Sequence, residues 1–271
     1  MGCICSCLSA QQNDDPQATT PLLKGAPSTP RPQVPIAQVA NDPVQSARKQ
    51  KRQEKERTFV ASVEELADIE LEPTTLGTLD KSLMDHARLH NTVLANHRSL
   101  RSIIHDFKEL FLADTAGIPV MADCIQAMKD KCGNAQLSVG RKSKYCIQIN
   151  YDAHEVSKES GPRPEVVISA LELFNRANKL TKDIMDRAPN VNRSVQLILN
   201  DENSLRKEVT KADLGPVAGP EAMKNCVENI SKIRKIPSAM ETIQRDTQRV
   251  FDEILAGSKC LFENTEPKLV T

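Results

Sequence analysis

The chain opens Met1-Gly2-Cys3-Ile4-Cys5-Ser6-Cys7. Gly2 and Ser6 stand where N-myristoylation requires them. The chemistry needs glycine because the acyl group is placed on the amine exposed when Met1 leaves. Cys3, Cys5 and Cys7 then lie beside a bilayer, where a thiol can take a palmitoyl group. A single myristoyl chain binds a membrane with K of ~10⁴ M⁻¹, so stable anchoring needs a second signal. The thiols are one. The basic run Arg48, Lys49, Lys51, Arg52, Lys55 and Arg57 is another. Each such cation near an anionic leaflet contributes up to about 1 kcal/mol, which Glu54 and Glu56 reduce. The competing chemistry is a Cys-rich end that binds a metal. Gly2, Cys3 and Ser6 together favour double acylation. Farther on, Leu22-Leu23 has the form of a di-leucine sorting signal, but Asp14 and Asp15 stand too far upstream for the usual spacing.

His86, His90 and His97 follow at helical spacing and share one face. Three readings compete. They form a polar layer that fixes helix register. They form a pH switch, because imidazole titrates near pH 6.5 and charging a packed seam is costly. Or they share a metal, for which no acidic or thiol ligand stands at a suitable spacing. Cys124, Cys132, Cys146, Cys226 and Cys260 have no Cys-x-x-Cys pairing and read as small buried hydrophobes. Phosphate-binding loops, dinucleotide fingerprints and nucleophile elbows are missing, so neither an enzyme nor a resident metal or cofactor is expected.

The elements that position these residues read as helical. Aromatics are only 3% of the 271 residues, with no Trp, which disfavours an all-β fold. Lys plus Arg equals Asp plus Glu at 36 each, which argues against a nucleic-acid binder. The sequence has no signal-peptide core and no apolar stretch of membrane-spanning length. Residues 1–42 are Pro-, Gln- and Ser-rich and read as a disordered tether. Residues 43–73 read as a charged helical linker. Asp42-Pro43 starts one helix, Ser62 and Glu65 cap a short second one, and Glu72-Pro73 ends it. Residues 74–262 read as a long antiparallel bundle or coiled coil of about four helices, and 263–271 as a frayed tail. The first helix alternates apolar positions by four and three from Leu79 to Phe111. A second spans Met121 to Val156, a third Val167 to Ala212 through Pro189, and a fourth Met223 to Ile254 through Pro237. Gly161–Pro164 and Gly215–Pro220 are expected turns.

The acylated opening resembles the N-termini of Src-family kinases and of some G-protein α subunits, although neither body follows. Leu83-Met84-Asp85-His86-Ala87-Arg88, with Thr92 and Leu94-Ala95, resembles the lipid-anchored scaffold subunit of the Ragulator complex, a late endosomal and lysosomal adaptor. Gly77 stands at the matching distance, and Ala67-Asp68-Ile69 is a loose counterpart of a stretch before the family's helix. The resemblance covers residues 1–115. It departs from the family where Ile4 separates Cys3 from Cys5, and the helices after Gly117 have no counterpart. It implies lysosomal anchoring and a belt around small α/β dimers that recruit GTPases.

These readings converge on a non-enzymatic adaptor, anchored by its acylated end to the cytosolic face of endolysosomal membranes. Two rivals remain open. One is a self-assembling, BAR-like module that shapes or tethers membranes as a homodimer. The other is a helical regulator of a plasma-membrane signalling enzyme.

Overall fold

The computed structural model describes residues 43–262. The chain divides into two units, residues 1–47 and 48–271. All the elements, apart from the first residues of α1, belong to the second unit. In order they are α1 Pro43–Glu64, α2 Gly77–Glu109, α3 Met121–Lys131, β1 Ser138–Ser143, β2 Cys146–Asn150, α4 Ala153–Glu159, α5 Pro164–Asn200, α6 Glu202–Lys211, α7 Gly215–Ile233, α8 Ile236–Gly257 and α9 Lys259–Phe262. The fold is all-α with one small antiparallel hairpin. Among the described residues no helix is long and apolar enough to cross a membrane.

Helix α2 follows the expected seam. Leu79, Leu83, His90, Val93, His97, Leu100 and Phe107 are buried along one face, and Phe111 is buried just past the helix end. That face lies along α5, which also packs on α8, and α2 and α8 meet each other directly, so α5 is the central rod of the packed helices. Pro164 occupies the first turn of α5, where its missing N–H costs nothing. Pro189 stays inside α5, and the break comes at Asp201, after which α6 pairs with α7. Helices α7 and α8 follow one another across Arg234 and Lys235, with Pro237 in the first turn of α8.

Three expectations need correction. The single helix across Met121–Val156 is instead α3, a hairpin and α4. Gly133, at φ +60°, ends α3 in a conformation that costs other residues strain. From Cys146 the buried positions Ile147 and Ile149 alternate with Gln148, a period of two rather than 3.5. Strand β2 is docked on α5 by side chains: Asn175 accepts from the Ile149 N–H (2.9 Å) and donates to its carbonyl (2.8 Å), and Asn178 accepts from the Ile147 N–H (3.1 Å). Second, Ser62 caps no helix. Its hydroxyl donates to the Phe59 carbonyl inside α1, and residues 66–76 are not helical. Third, the Gly215–Pro220 stretch is the start of α7, with Gly215 at φ +80° setting it off from the preceding turn.

Gly257 closes α8 against α3. A Cβ there would stand 2.8 Å from Ile125 Cδ1 and 2.9 Å from the Ala122 Cα. The second neighbour is backbone and cannot rotate away. Gly257→Ala should therefore destabilise the fold by roughly 1–3 kcal/mol, the usual cost of overpacking, read as a lowered thermal midpoint.

Candidate functional site

His86, His90 and His97 of α2 share a face, as their spacing requires, but each meets a different element. His86 is half-buried. Its Nδ1 stands 2.7 Å from the Ser82 carbonyl one turn back, and its Nε2 2.8 Å from the Ser194 hydroxyl of α5. The Ser82 contact makes Nδ1 the donor, so Nε2 accepts from Ser194. His97 is buried and places Nε2 2.9 Å from Asp246 Oδ2 of α8, a carboxylate that is largely buried as well. Burial resists ionisation of Asp246. The His97 hydrogen bond and charge outweigh it, aided by Arg101 and Arg249, and the carboxyl lies below its ordinary value of 3.8. An acidic partner for His97 therefore exists 149 residues away, where helix spacing could not reveal it. Among the described residues no cluster of three or more His, Cys, Asp and Glu could hold a metal ion.

His90 is buried and turns Nε2 to the Ala67 carbonyl at 3.2 Å, while its Nδ1 is enclosed without a partner. Ala67 belongs to the segment that joins α1 to α2. Residues 66–73 lie across α2 and α7, and side chains grip their main chain from both helices. Asn91 of α2 accepts from the Ile69 N–H at 2.9 Å and donates to its carbonyl at 3.1 Å. Asn229 of α7 does the same at Glu72, at 3.0 and 2.6 Å. Asn225 donates to the Pro73 carbonyl and Lys232 to that of Glu70. Arg98 donates both to the Leu66 carbonyl and to Asp68 Oδ2. Leu66, Ile69 and Leu71 are half-buried, whereas Asp68, Glu70 and Glu72 are exposed. Thr74 and Asp80 fasten the end of the segment, with the Thr74 N–H and hydroxyl both donating to Asp80 Oδ1.

A cleft of about 620 Å³ opens beside this strap, with His90, Asp68, Glu70, Lys232 and Lys235 in its wall. A second, of about 640 Å³, lies along its other edge, over Met84, Ala87, Asn91 and Ala95 of α2. None of the gripping amides stood out in the sequence. An asparagine that ties two helices to a distant main chain has the same local context as one facing water. A trace was present in Asp68-Ile69-Glu70-Leu71-Glu72, whose period of two suits extended chain better than helix.

Desolvation holds the His90 imidazole below its ordinary value of 6.5, and the Asp68 charge opposes this only in part. Its folded pKa is thus lower than its unfolded one. The corresponding stability is complete above pH 6.5 and is lost as the pH falls from there toward the folded value. The thermal midpoint of the wild-type chain should therefore drop between pH 7.5 and 5.5. The drop should be smaller in His90→Gln, which keeps a donor for the Ala67 carbonyl and removes the titration.

Lys51, Lys55 and Arg57 are exposed on α1; Arg48, Lys49 and Arg52 fall on the same helix with side chains outside the described set. The helix is fastened to α8 near its C-terminal end. Phe59 lies under Arg245 and Arg249, with the guanidinium carbons 5.5 and 6.0 Å from the ring centre, and Arg249 pairs with Glu56. Gly2, Cys3, Cys5, Cys7, Leu22 and Leu23, with the rest of the tether and the tail, lie outside the described residues. Cys124, Cys132, Cys146 and Cys226 are buried in separate places. Burial raises each thiol's pKa, that of Cys132 to about 11, which suits packing and disfavours thiolate chemistry. Compared with protein-family models, curated proteins and solved structures, the chain matches none.

Proposed function

We propose that the chain is a lipid-anchored adaptor that docks protein partners at the cytosolic face of endolysosomal membranes. The observation that carries the reading is the agreement of Gly2, Cys3 and Ser6, which supplies a myristoyl acceptor, an adjacent thiol and the required hydroxyl residue within six positions. The exposed cations Lys51, Lys55 and Arg57 of α1 support it. In the sequence they follow the N-terminal acylation motif, and they would add the electrostatic attraction that one acyl chain needs. The endolysosomal address and partners of the small α/β dimer and GTPase kind rest on the resemblance to the Ragulator scaffold.

Fractionation tests the anchor. The wild-type chain should pellet with membranes, and Gly2→Ala should move it to the soluble fraction. Unchanged pelleting of Gly2→Ala refutes the anchor. Affinity capture of the C-terminally tagged chain from gently solubilised membranes tests the adaptor role. Recovery of small α/β dimers with a GTPase pair supports it. Recovery of the chain with itself and lipid alone overturns it in favour of a self-assembling membrane module.

A further inference from the structure

The strap at residues 66–73 is held as a groove holds a peptide. Two asparagines, one from each wall, each take both the N–H and the carbonyl of a single residue, Ile69 or Glu72. Between and around them Lys232, Asn225, His90 and Arg98 donate to four more carbonyls. Contacts of this kind read main chain rather than side chains, so they would hold any extended segment in the same register. Side-chain preference comes from elsewhere. Ile69 and Leu71 point inward two residues apart, and the carboxylates of Asp68, Glu70 and Glu72 stay at the surface, near Arg98, Lys232 and Lys235.

The resident segment fills this site incompletely. Clefts of about 620 and 640 Å³ flank it, and both use Asp68, Ile69 and Glu70 as a wall. The inward side chains Ile69 and Leu71 pack against the core but are only partly buried, and the buried Nδ1 of His90 has no partner beside the first cleft. The segment also enters α2 through Thr75 at φ +66°, a left-handed conformation that a β-branched residue rarely adopts and that is relaxed if the strap leaves.

We propose that the channel between α2 and α7 is a peptide-recognition groove, that residues 66–73 are its occupant in the isolated chain, and that a partner segment of the same chemistry displaces them. The partner segment is extended, with apolar residues two apart set between carboxylates and a proline after the last. Larger apolar side chains than Ile69 and Leu71 would reach into the flanking clefts, which gives the incoming segment its advantage. This goes beyond membrane anchoring, and its test involves no lipid, so either reading can fail without the other.

The test uses the full chain and a fluorescent peptide of the sequence of residues 65–76, read by anisotropy. In the chain, Ile69→Asp with Leu71→Asp loosens the resident strap. That variant should bind the peptide at least tenfold more tightly than the wild-type chain does. Adding Asn91→Ala and Asn229→Ala should abolish the binding, as should placing the two Asp substitutions in the peptide. Equal affinity for wild-type and loosened chains overturns the proposal, and so does binding that survives loss of both asparagines. If the loosened chain loses its helical circular dichroism, hydrogen exchange of the wild-type chain decides. The hydrogen-bonded amides of Ile69 and Glu72 should exchange at least a hundredfold faster than those of the α5 core. Exchange of the two sets only together, by global unfolding, overturns the proposal. A concentration-dependent dimer formed by exchanging straps assigns the groove to a second copy and overturns the partner reading.

Discussion

Asp246→Ala should lower the unfolding free energy by roughly 3 kcal/mol, with Asp246→Asn costing only about 1 kcal/mol. The carboxylate is enclosed between α2 and α8 and accepts from His97 Nε2 at 2.9 Å. Truncation leaves the buried His97 donor without its partner. A neutral orphan donor costs ~1–3 kcal/mol and a broken buried ion pair ~3–5 kcal/mol, and the pair stands between those cases. Asparagine keeps an acceptor oxygen at the same place and gives up only the charge-assisted part of the bond. The charge has a separate signature in acid. Asp246 has a depressed folded pKa, so its stabilising effect is complete above its ordinary value of 3.8 and disappears as the pH falls through the folded value. Denaturant titrations of wild type and Asp246→Asn should therefore converge once the pH is below the folded value of Asp246, and the asparagine variant should have the shallower acid limb. A wild-type acid limb that is unchanged by Asp246→Asn would contradict the depressed carboxyl.

This pair and the strap share a reason for being hard to read in the sequence. His97 and Asp246 are 149 residues apart, and Glu72 and Asn229 are 157 apart. Local spacing carries no information about either. What could be read was what repeats locally. The four-three pattern of α2 from Leu79 to Phe107 is one continuous face against the core, and the turn expected at Gly161–Pro164 separates α4 from α5, which takes Pro164 as its first residue. Sequence and structure diverge where two periods fit the same few residues. Cys146, Ile149, Ala153 and Val156 match a helical seam by spacing, yet Ile147 is also buried and Gln148 is not, which only a strand allows. Gly133 and Gly140 were the available warnings, since each lowers helix stability by ~1 kcal/mol against Ala. At Ser62 and Glu65 the capping pattern was present, but α1 already satisfied those backbone groups, and the following chain found partners on α2 and α7 instead. The anchor is the reverse case. It is a proposal about covalent chemistry at Gly2 and Cys3 that rests on the sequence alone, since both residues lie outside the described ones.

Phe107→Ala should cost about 3–5 kcal/mol, the range for removing a large aromatic side chain from a packed core. Phe107 lies near the end of α2 where the helix meets α5, and it is 2% exposed. Its ring stands 5.5 Å from Phe111 in a T-shaped arrangement and 6.5 Å from Phe174 of α5. In a chain with few aromatics these three rings are a large share of the aromatic packing. Truncation removes the transfer term for the ring and leaves a cavity walled by Phe111 and Phe174, and two rigid rings on separate elements cannot close it by rotating. Phe107→Leu refills most of the volume and loses the edge-to-face contact with Phe111 and the tilted contact with Phe174, so it should cost less, at roughly 1–2 kcal/mol. Urea unfolding followed by circular dichroism measures both, and the midpoint should shift with the slope unchanged if the native state stays packed. Loss of Phe107 at under ~1 kcal/mol would mean that the α2–α5 contact collapses around the gap, and that the central rod is held chiefly by α8.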